Sequence, residues 1–596
     1  MNYMPTTIEV NKQSVEALLG SGKSKPFVIP EYQRPYAWTD EQVETLFEDL
    51  WEFTATSGGT EREGSYFLGS IVSYENEDGE QEIIDGQQRI TSLFLLLRAI
   101  YTNLQQPEEK TKEAMNFIQK IEPTIWIEDS ISGDIDYSKI LIESKVINNA
   151  GNEILRRILE TGKADENATD NYSVNYRKFQ ELYNNKAQQN PMQIYYFILA
   201  VLSKAILLPI TADTQDTALT IFSTLNDRGL PLSDADIFKA KIYNHLNSEE
   251  KNKFIEEWKE LDENAQYAGE TIQSLFYYYM FYLRAKSEDD KSTTPGIRKY
   301  FSDNKYARLF APELLSDLSK ILNIWKVVNK RDTIDNEEWS QNTKILQTLD
   351  ILSAYPNEFW KYPVLTYYLS HNQDADFTNN FLAFLHKLIV ELLTKYLITP
   401  TINAVKTDIM KLNVEIIKTA KPKFIFKDID RGLLETNIKA PNGKTVRMLL
   451  KLIAYKYQDT LLPEKWEIEH IFPQKWHNNY FSNISDDIIK EKIEYLGNKV
   501  PFEKKLNIQA GNGYFSKKQQ EYAQSSIKIV KELANKSKYH NDWNLDNITE
   551  RGVKVCEDVL STVDEWNAEY IGMTAENTPT PEDLAAIEKY KLKGWI

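Results

Sequence analysis

The sequence predicts a multidomain α+β protein that is mostly helical, and three changes of pattern along the chain support this prediction. Residues 1–240 mix short apolar or alternating runs with helical periodicity, residues 241–420 are helical throughout, and residues 421–565 change composition again. Residues 566–596 are a C-terminal tail, in which TPTPEDLAAIEKYKLKGWI, residues 578–596, indicates a short linker and a final helix. At roughly 150 residues per domain, the chain has room for three or four domains. We therefore expect an α/β domain, an all-helical domain, a third domain and a tail with these boundaries.

The composition is that of a globular protein of the cell interior. Apolar residues make up 42% of the chain and charged residues 27%, which is ordinary for proteins with large cores. The single cysteine, Cys556, excludes an intramolecular disulfide and Cys-rich zinc modules. No apolar stretch approaches the roughly 18 residues that span a bilayer, and the first residues lack the pattern of a signal peptide. We expect a cytoplasmic protein without a membrane partner.

The charge of the chain is unevenly distributed. The net charge of −18 argues against binding of nucleic acid. Residues 490–540 nevertheless contain 11 Lys and 5 Glu, a local charge of +6. This basic region is either a set of solvated helix faces or a surface for a polyanion, and charge alone leaves both interpretations open.

Four runs in the first 240 residues predict strands: PFVIP, YFLGSIVSY, EQEIID and AILLPITA. ENEDGEQ, between the second and third runs, has the Asp-Gly of a hairpin turn. Residues 92–205 are predicted to be mostly helical. In residues 241–420, segments such as SLFYYYMFYLRA are rich in aromatic residues and poor in glycine, and we interpret them as packed helices.

The stretch DGQQR, residues 85–89, is the first candidate site. Gly86 permits a sharp turn, and a leucine-rich helix is expected to begin near Ile90. The free N–H groups of a first helical turn carry partial positive charge and attract anions. Arg89 adds a planar fork that suits phosphate oxygens, while Asp85 can accept from a ribose hydroxyl or hold Arg89. The stretch predicts a phosphate or nucleotide site, although an ordinary surface turn can have the same residues.

Two further stretches of this region carry an arginine in a turn. IPEYQRPYAW holds the pair Gln33-Arg34 in a segment that its prolines keep extended. Three aromatic residues flank that pair: Tyr32, Tyr36 and Trp38.

The other stretch is IFSTLNDRGLPLSDADIFKAK, residues 221–241. We expect a helix to stop at residues 226–229 and a new helix to start at Ser233, with Asp236 close to a capping box. Asp234 and Asp236 are interpreted as cap and helix-dipole partners, with a ligand role as the alternative. Three arginine-bearing turns in one α/β region together favour a polyanion or nucleotide site.

The segments IPxYQRxYxW, FLGSIV, IIDGQQRITSL and LNDRGLPLSDADIFKAK together resemble the N-terminal half of GmrSD-type modification-dependent restriction enzymes. The resemblance implies a fold similar to ParB and sulfiredoxin, and binding of a nucleoside triphosphate on the DGQQR turn. The chain has no GxxxxGK[ST] motif, and the choice among GTP, ATP, UTP and CTP stays open, as does hydrolysis. The nucleotide-binding residues implied by the resemblance are Gln33, Arg34, Asp85, Gly86, Gln87, Gln88 and Arg89.

The second candidate site lies in the region of changed composition. WEIEHIFPQ holds His470, one of six histidines, and YLGNKVPFEKKLN holds Asn498 and Asn507. Hydrolysis of a phosphodiester needs a base for the water and a cation for the charge on the phosphate. His470 suits the base, and the oxygens of Glu469 and Asn507 suit Mg²⁺ or Mn²⁺. Asn498 can hydrogen-bond across the loop and hold His470.

Lysines that follow this site in the sequence suggest that the basic region binds DNA. Lys517 and Lys518 lie on the helix expected after this site, where they would meet DNA phosphates. A Glu-His pair before a proline is a weak motif alone, and a structural role is the alternative.

Residues 421–565 resemble the HNH (ββα-metal) nuclease half of the same family. The resemblance implies that His470 is the base, that Asn498 supports the loop, and that Asn507 binds metal with Glu469 as a second ligand. Glu469 stands where Asp is common, and Asn507 stands where His is common, which implies weak metal affinity and a preference for Mn²⁺. Asn512 is a second candidate for the metal position.

Both halves in one chain resemble the single-chain GmrSD enzymes. The implied function is a nucleotide-regulated endonuclease for phage defence that cuts double-stranded DNA with hydroxymethylated or glucosylated cytosine, and the family implies homodimers. Phosphorothioate DNA, the target of the SspE branch, is the alternative substrate. Two alternatives come from other classes: a non-cutting, nucleotide-gated DNA-binding protein similar to ParB, and a regulatory protein that binds only a small nucleotide.

Overall fold

The protein has an α+β fold that is mostly helical and divides into two compact units, residues 1–256 and 257–596. The finer division into four parts stays a prediction. The computed structural model describes residues 9–20, 25–55, 64–76, 78–129, 131–146, 150–215, 217–219, 221, 233–426, 429–476, 484–539 and 542–574.

In the described part of the first unit, a mixed sheet has seven strands in the order β1-β9-β4-β5-β3-β8, with β2 also paired to β9. β4 runs parallel to β9 and antiparallel to β5, and β3 runs parallel to β5 and β8. β6 and β7 form a separate antiparallel pair. The strands are β1 (Glu9–Val10), β2 (Gln13–Ser14), β3 (Phe27–Ile29), β4 (Tyr66–Glu75), β5 (Gln81–Asp85), β6 (Trp126–Glu128), β7 (Ile135–Ile140), β8 (Ile142–Ser144) and β9 (Ala205–Ala212).

Helices cover this sheet, and α3 lies at the centre of the core because almost every residue after its first turn is buried. α3 packs against α4 and α6, and α2 also packs against α6. The helices are α1 (Val15–Leu19), α2 (Asp40–Ala55), α3 (Gln87–Gln105), α4 (Lys112–Ile125), α5 (Gly151–Thr161), α6 (Asn171–Gln189), α7 (Gln193–Leu199) and α8 (Asp234–His245).

The four predicted strands are confirmed as β3, β4, β5 and β9, and the predicted hairpin joins β4 to β5. The prediction of mostly helix over residues 92–205 missed the strands β6, β7 and β8. These strands are short, and β7 is largely exposed, so their apolar periodicity is weak.

The second unit is built from helices whose aromatic residues form its core, as the sequence predicts. The helices that follow α8 are α9 (Ser248–Ala268), α10 (Ile272–Lys286), α11 (Ile297–Ser302), α12 (Leu314–Lys330), α13 (Thr343–Ser353), α14 (Lys361–His371), α15 (Phe377–Ile398), α16 (Asn403–Lys418), α17 (Arg431–Lys439), α18 (Gly443–Tyr457), α19 (Asp486–Ile493), α20 (Lys504–Ala510), α21 (Phe515–Tyr522), α22 (Lys528–Lys531) and α23 (Leu545–Thr574).

A small strand–strand–helix element packs among the last of these helices. β10 (Trp466–His470) pairs antiparallel with β11 (Lys499–Glu503), and α20 follows β11 directly and packs against both strands. α19 lies in the long connection between the two strands. Among the described residues, no helix combines the length and apolar character needed to cross a membrane.

Candidate functional site

The first candidate site is the turn between β5 and α3. Asp85 is the last residue of β5, as predicted, and α3 begins at Gln87 instead of near Ile90. Gly86 has φ +88°, and a Cβ there would lie 3.1 Å from the carbonyl oxygen of Ser70. Only glycine fits this backbone conformation without strain. The N-cap residue, Gly86, has no side chain to cap α3, so the N–H groups of the first helical turn point towards the DGQQR turn.

Arg89 packs against the neighbouring strand. Its Nη1 donates to the carbonyl oxygen of Ser70 at 2.8 Å, and burial lowers its pKa while the charge of Asp85 opposes that effect. Gly69 has φ +122°, and a Cβ there would lie 2.8 Å from the guanidinium carbon of Arg89. A side chain at position 69 would therefore displace Arg89.

Asp85 and Gln87 complete the turn. Burial raises the pKa of Asp85, while the N–H of Gly86 and the charge of Arg89 lower it. Within the described residues, the side chain of Gln87 has no hydrogen-bond partner. Gln87 is therefore the residue of the DGQQR stretch whose amide is available to a ligand.

Gln88 holds the loop that contains YQRPYAW. Its Oε1 accepts from the backbone N–H groups of Ala37 at 2.7 Å and Trp38 at 3.3 Å. Its Nε2 donates to the carbonyl oxygen of Pro35 at 3.1 Å. All of these bonds fix one loop, so the structure gives Gln88 a supporting role.

Gln33 lies in the core, whereas its neighbour Arg34 lies at the surface. Gln33 is 2% exposed, and its Nε2 donates to the carbonyl oxygen of Ile84 at 3.1 Å. Arg34 is half exposed, and its Nε donates to Asp236 Oδ2 at 2.9 Å. Asp236 also closes the predicted capping box with Ser233 at the start of α8. The geometry thus makes Gln33 a structural residue and Arg34 a link to α8.

The aromatic residues of the same loop belong to the core. Tyr36 Oη lies 2.7 Å from Ser92 Oγ, and Asn175 Nδ2 donates to Tyr36 Oη at 3.0 Å and to the Trp38 carbonyl at 2.7 Å. Tyr32 and Tyr36 are both buried. The predicted helix stop at residues 226–229 lies outside the described residues.

The second candidate site is centred on His470, the last residue of β10. In the register of the two strands His470 is opposite Lys499, and its Nε2 lies 3.6 Å from Glu494 Oε1. Lys499 in turn pairs with Glu494 Oε2 at 2.5 Å. Burial, together with Lys499, lowers the pKa of His470 to about 4. The imidazole is therefore neutral at pH 7 and can accept a proton.

Glu469 lies in the interior of the domain. Its Oε1 accepts from Lys518 Nζ at 2.8 Å and from Tyr522 Oη at 2.7 Å. Lys518 is 1% exposed and also donates to the carbonyl oxygen of His470 at 2.6 Å. Both partners come from α21. The structure shows Glu469 and Lys518 as a buried pair that supports β10. The metal-ligand role of Glu469 stays a prediction, whereas the burial of Lys518 is at odds with the predicted contact with DNA.

Asn498 makes the hydrogen bonds across the loop that the sequence predicts. It is fully buried, its Oδ1 accepts from Phe472 N–H at 2.7 Å, and its Nδ2 donates to the carbonyls of Phe472 and Ile493 at 3.1 Å each. Its backbone carbonyl accepts from Ile471 N–H at 2.8 Å. Asn498 therefore fixes the two residues that follow His470.

Asn507 lies on α20, half-buried, and its side chain has no hydrogen-bond partner among the described residues. Asn512 lies beyond the helix and is exposed, as is Lys517. The sequence analysis missed Glu494. The sequence could have indicated Glu494 by its position four residues before Asn498. The short turn between these two residues brings Glu494 towards the strand that carries His470.

The donor set fits a hard divalent cation only in part. Asn507 offers an amide oxygen, which suits Mg²⁺ or Mn²⁺, whereas Glu469 is held by Lys518 and Tyr522. Among the described residues, no group of three or more His, Cys, Asp and Glu is arranged around one metal position. Such a cation would therefore depend on water and phosphate oxygens for most of its ligands.

Both candidate sites fall inside regions that match known domains. The model of the GmrSD restriction endonuclease N-terminal domain matches residues 15–243, and that of the GmrSD restriction endonucleases C-terminal domain matches residues 426–557. The first range contains the DGQQR turn, and the second contains the strand–strand–helix element. Together the two matches cover more than half of the chain. The chain belongs to the GmrSD family.

One relative of known sequence is an uncharacterized protein of Methanocaldococcus jannaschii. It is 24% identical over 289 residues, which cover 42% of this chain and 45% of the relative. The chain thus matches slightly less than half the length of this curated relative.

Proposed function

We propose that the protein is a modification-dependent DNA endonuclease whose cutting site is centred on His470. The observation that carries the proposal is the arrangement of His470 at the end of β10, Asn498 buried beneath the following loop, and Asn507 on the helix packed against both strands. A strand–strand–helix unit with these residue types is typical of HNH (ββα-metal) nucleases. The family of the chain supports DNA as the substrate.

His470 is the proposed general base. Its neutral imidazole takes a proton from the attacking water, and the carboxylate of Glu494 at 3.6 Å stabilises the imidazolium that results. Asn498 keeps the residues after His470 in place, which preserves the orientation of the ring. The base and its supports therefore come from this chain alone.

A divalent cation, Mg²⁺ or Mn²⁺, would stabilise the negative charge on the phosphate and on the departing oxygen. Asn507 is the residue proposed to hold it. Glu469 is held through Oε1 by Lys518 and Tyr522, and the positive charge of Lys518 competes with a cation for this carboxylate. We therefore propose that water and phosphate oxygens supply the other ligands.

The proposed DNA-binding surface uses exposed lysines around the same helix. Lys504 and Lys505 begin α20, and Lys517 lies on α21, which packs against α20. All three are exposed, whereas Lys518 is not available to a phosphate. Lysines at these positions attract the DNA backbone without reading its sequence.

The first unit is proposed to bind a nucleoside triphosphate on the DGQQR turn. Arg89, Gln87 and the uncapped first turn of α3 face the phosphates in this proposal. Gln33 and Gln88 support the turn through backbone hydrogen bonds. The nucleotide would license cutting of DNA that carries hydroxymethylated or glucosylated cytosine, with phosphorothioate DNA as the alternative target.

Cleavage of a panel of plasmids tests this function. Purified full-length protein is incubated with unmodified, hydroxymethylated, glucosylated and phosphorothioate DNA, with Mg²⁺ or Mn²⁺, and with or without each nucleoside triphosphate. We expect cutting of one modified substrate and little cutting of unmodified DNA. Binding of DNA without cutting under every condition would instead support a nucleotide-gated DNA-binding protein.

A further inference from the structure

The turn that carries Asn498 is held by an arginine from a helix more than fifty residues away in the sequence. Arg551, on α23, donates through Nη1 to the carbonyl oxygens of Leu496 at 3.3 Å, Gly497 at 2.8 Å and Lys499 at 3.0 Å. These carbonyls lie on both sides of Asn498. Burial lowers the pKa of Arg551 to about 10, and within the described part of the chain its hydrogen bonds all go to these carbonyls.

The same turn also touches α23 directly, backbone against backbone. A Cβ at Gly497 would lie 2.6 Å from the backbone nitrogen of Gly552 and 2.8 Å from its Cα. Real Cβ atoms do not approach other atoms so closely, so any side chain at position 497 would push the turn away from the helix. The turn therefore contacts α23 in two ways, through the hydrogen bonds of Arg551 and through the close backbone approach of Gly497 to Gly552.

α23 is fixed at its other end by the helical part of the second unit. Asp564 accepts from Arg431 of α17 through two hydrogen bonds, at 2.9 Å and 2.8 Å. His386 of α15 stacks on Trp566 with ring centroids 4.1 Å apart and pairs with Glu569 at 2.7 Å. Bidentate and stacked contacts of this kind restrict both position and rotation. α23, 30 residues long, is thus anchored at both ends.

We propose that Arg551 is a positioning residue of the nuclease site, which fixes the Asn498 turn on α23 and, through Asn498, the loop that follows His470. The inference rests on the proposed nuclease function for its effect on turnover, but not for its effect on the loop. Because α23 is anchored in the helices, the helical part of this unit sets the position of His470.

The test combines hydrogen exchange with cleavage, using the full chain and Arg551→Lys. The N–H groups of Ile471 and Phe472 donate to Asn498, so their exchange reports on the loop. We expect exchange at these two amides to rise about tenfold and turnover to fall about tenfold or more, since small misplacements of a base are costly. The KM for DNA should stay within about twofold, because the DNA-binding lysines are unchanged.

A second variant and a control keep the test decisive. Gly497→Ala pushes the same turn away from α23 while Arg551 keeps its guanidinium, and it should give the same pattern. Arg284→Lys is the control, since Arg284 is a buried arginine that donates to the carbonyls of Lys291 and Thr293 in the helical part. Arg284→Lys should change neither the hydrogen exchange at Ile471 and Phe472 nor the turnover.

The outcomes separate the two proposals. Unchanged exchange at Ile471 and Phe472 in folded Arg551→Lys and Gly497→Ala would overturn the positioning role. A uniform rise in exchange across the unit, with unchanged turnover per folded molecule, would overturn it as well, because that pattern belongs to general loosening. If the wild-type protein cuts no DNA, the proposed function fails, and the exchange of the two amides still decides the role of Arg551.

Discussion

Glu469 and His470 are neighbours in the sequence, yet their side chains contact different parts of the domain. Glu469 is bound by Lys518 and Tyr522 in the interior, whereas His470 lies beside Glu494 and opposite Lys499. Successive side chains of a strand point to opposite faces, and β10 follows this rule. One residue of the pair is therefore a carboxylate buried against Lys518 and Tyr522, and the other is the candidate base.

This division predicts how the buried pair contributes to stability. Lys518→Met removes the positive partner of the Glu469 carboxylate in the interior and leaves only the hydrogen bond from Tyr522 among the contacts described above. We therefore expect the free energy of unfolding of the second unit to fall by about 3–5 kcal/mol. The double variant Glu469→Gln with Lys518→Met should recover most of that loss, because no charge remains buried. Urea unfolding measures both values. An equal or greater loss of unfolding free energy in the double variant would contradict the role of the buried pair. Loss of Mn²⁺ binding in the double variant would show instead that Glu469 is a metal ligand.

The contact between Gly69 of β4 and Arg89 allows a test of whether Arg89 binds the nucleotide. Gly69→Ala should displace the guanidinium of Arg89, and we expect nucleotide affinity to fall about tenfold or more, the value of a charge-assisted hydrogen bond. Gly64→Ala is the matched control, because Gly64 has φ +119° against +122° at Gly69, but none of the described residues lies within 4 Å of its Cβ position. Titration with a fluorescent nucleotide gives both affinities. Equal affinities of the two variants would exclude Arg89 as a phosphate contact.

The two glutamines of the DGQQR stretch should behave differently. Gln87→Ala removes no hydrogen bond within the described residues, so we expect a change in unfolding free energy within about 0.5 kcal/mol and a clear loss of nucleotide affinity. Gln88→Ala releases the loop at Pro35, Ala37 and Trp38, so we expect loss of stability as well, about 1–3 kcal/mol. Thermal unfolding with and without nucleotide distinguishes them. The reverse order of stabilities would show that Gln88 does not support the loop.

The exposed lysines predict a salt dependence of DNA binding. In a His470→Ala background, which should not cut, removing Lys504, Lys505 or Lys517 should each reduce the slope of log K against log salt by about 0.9. Lys444→Ala, an exposed lysine at the start of α18, should leave the slope unchanged. Fluorescence anisotropy over a range of salt concentrations measures these slopes. Four equal slopes would place the DNA elsewhere on the protein.

The sequence was most informative where a backbone feature depended on local residues. The Asp-Gly hairpin, the end of β5 at Asp85 and the capping box of Ser233 are all formed within a few residues, and each was predicted correctly. The sequence was less informative where a side chain is defined by distant partners. Gln88 supports a loop some fifty residues earlier, and nothing in DGQQR distinguishes its amide from that of Gln87.

The lysines of the basic region illustrate the same limit. Lys517 and Lys518 are adjacent and equivalent in composition, but only the helix packing of α21 decides which one is buried against Glu469. The role of Arg551 is even harder to predict from the sequence. Its partners at Leu496, Gly497 and Lys499 are backbone carbonyls, which every residue has. The type of a residue does not show whether its backbone carbonyl accepts a hydrogen bond from a distant side chain, so only the fold identifies such a contact.

The most direct measurement of the central claim is the cleavage rate of modified plasmid by the wild type and His470→Ala at equal concentrations of folded protein. His245→Ala is the control, since His245 is an exposed histidine at the end of α8. We predict that the wild type and the control cut at the same rate, and that His470→Ala loses about 100-fold or more, the contribution of a general base. Cutting by His470→Ala at the wild-type rate would contradict the assignment of the site.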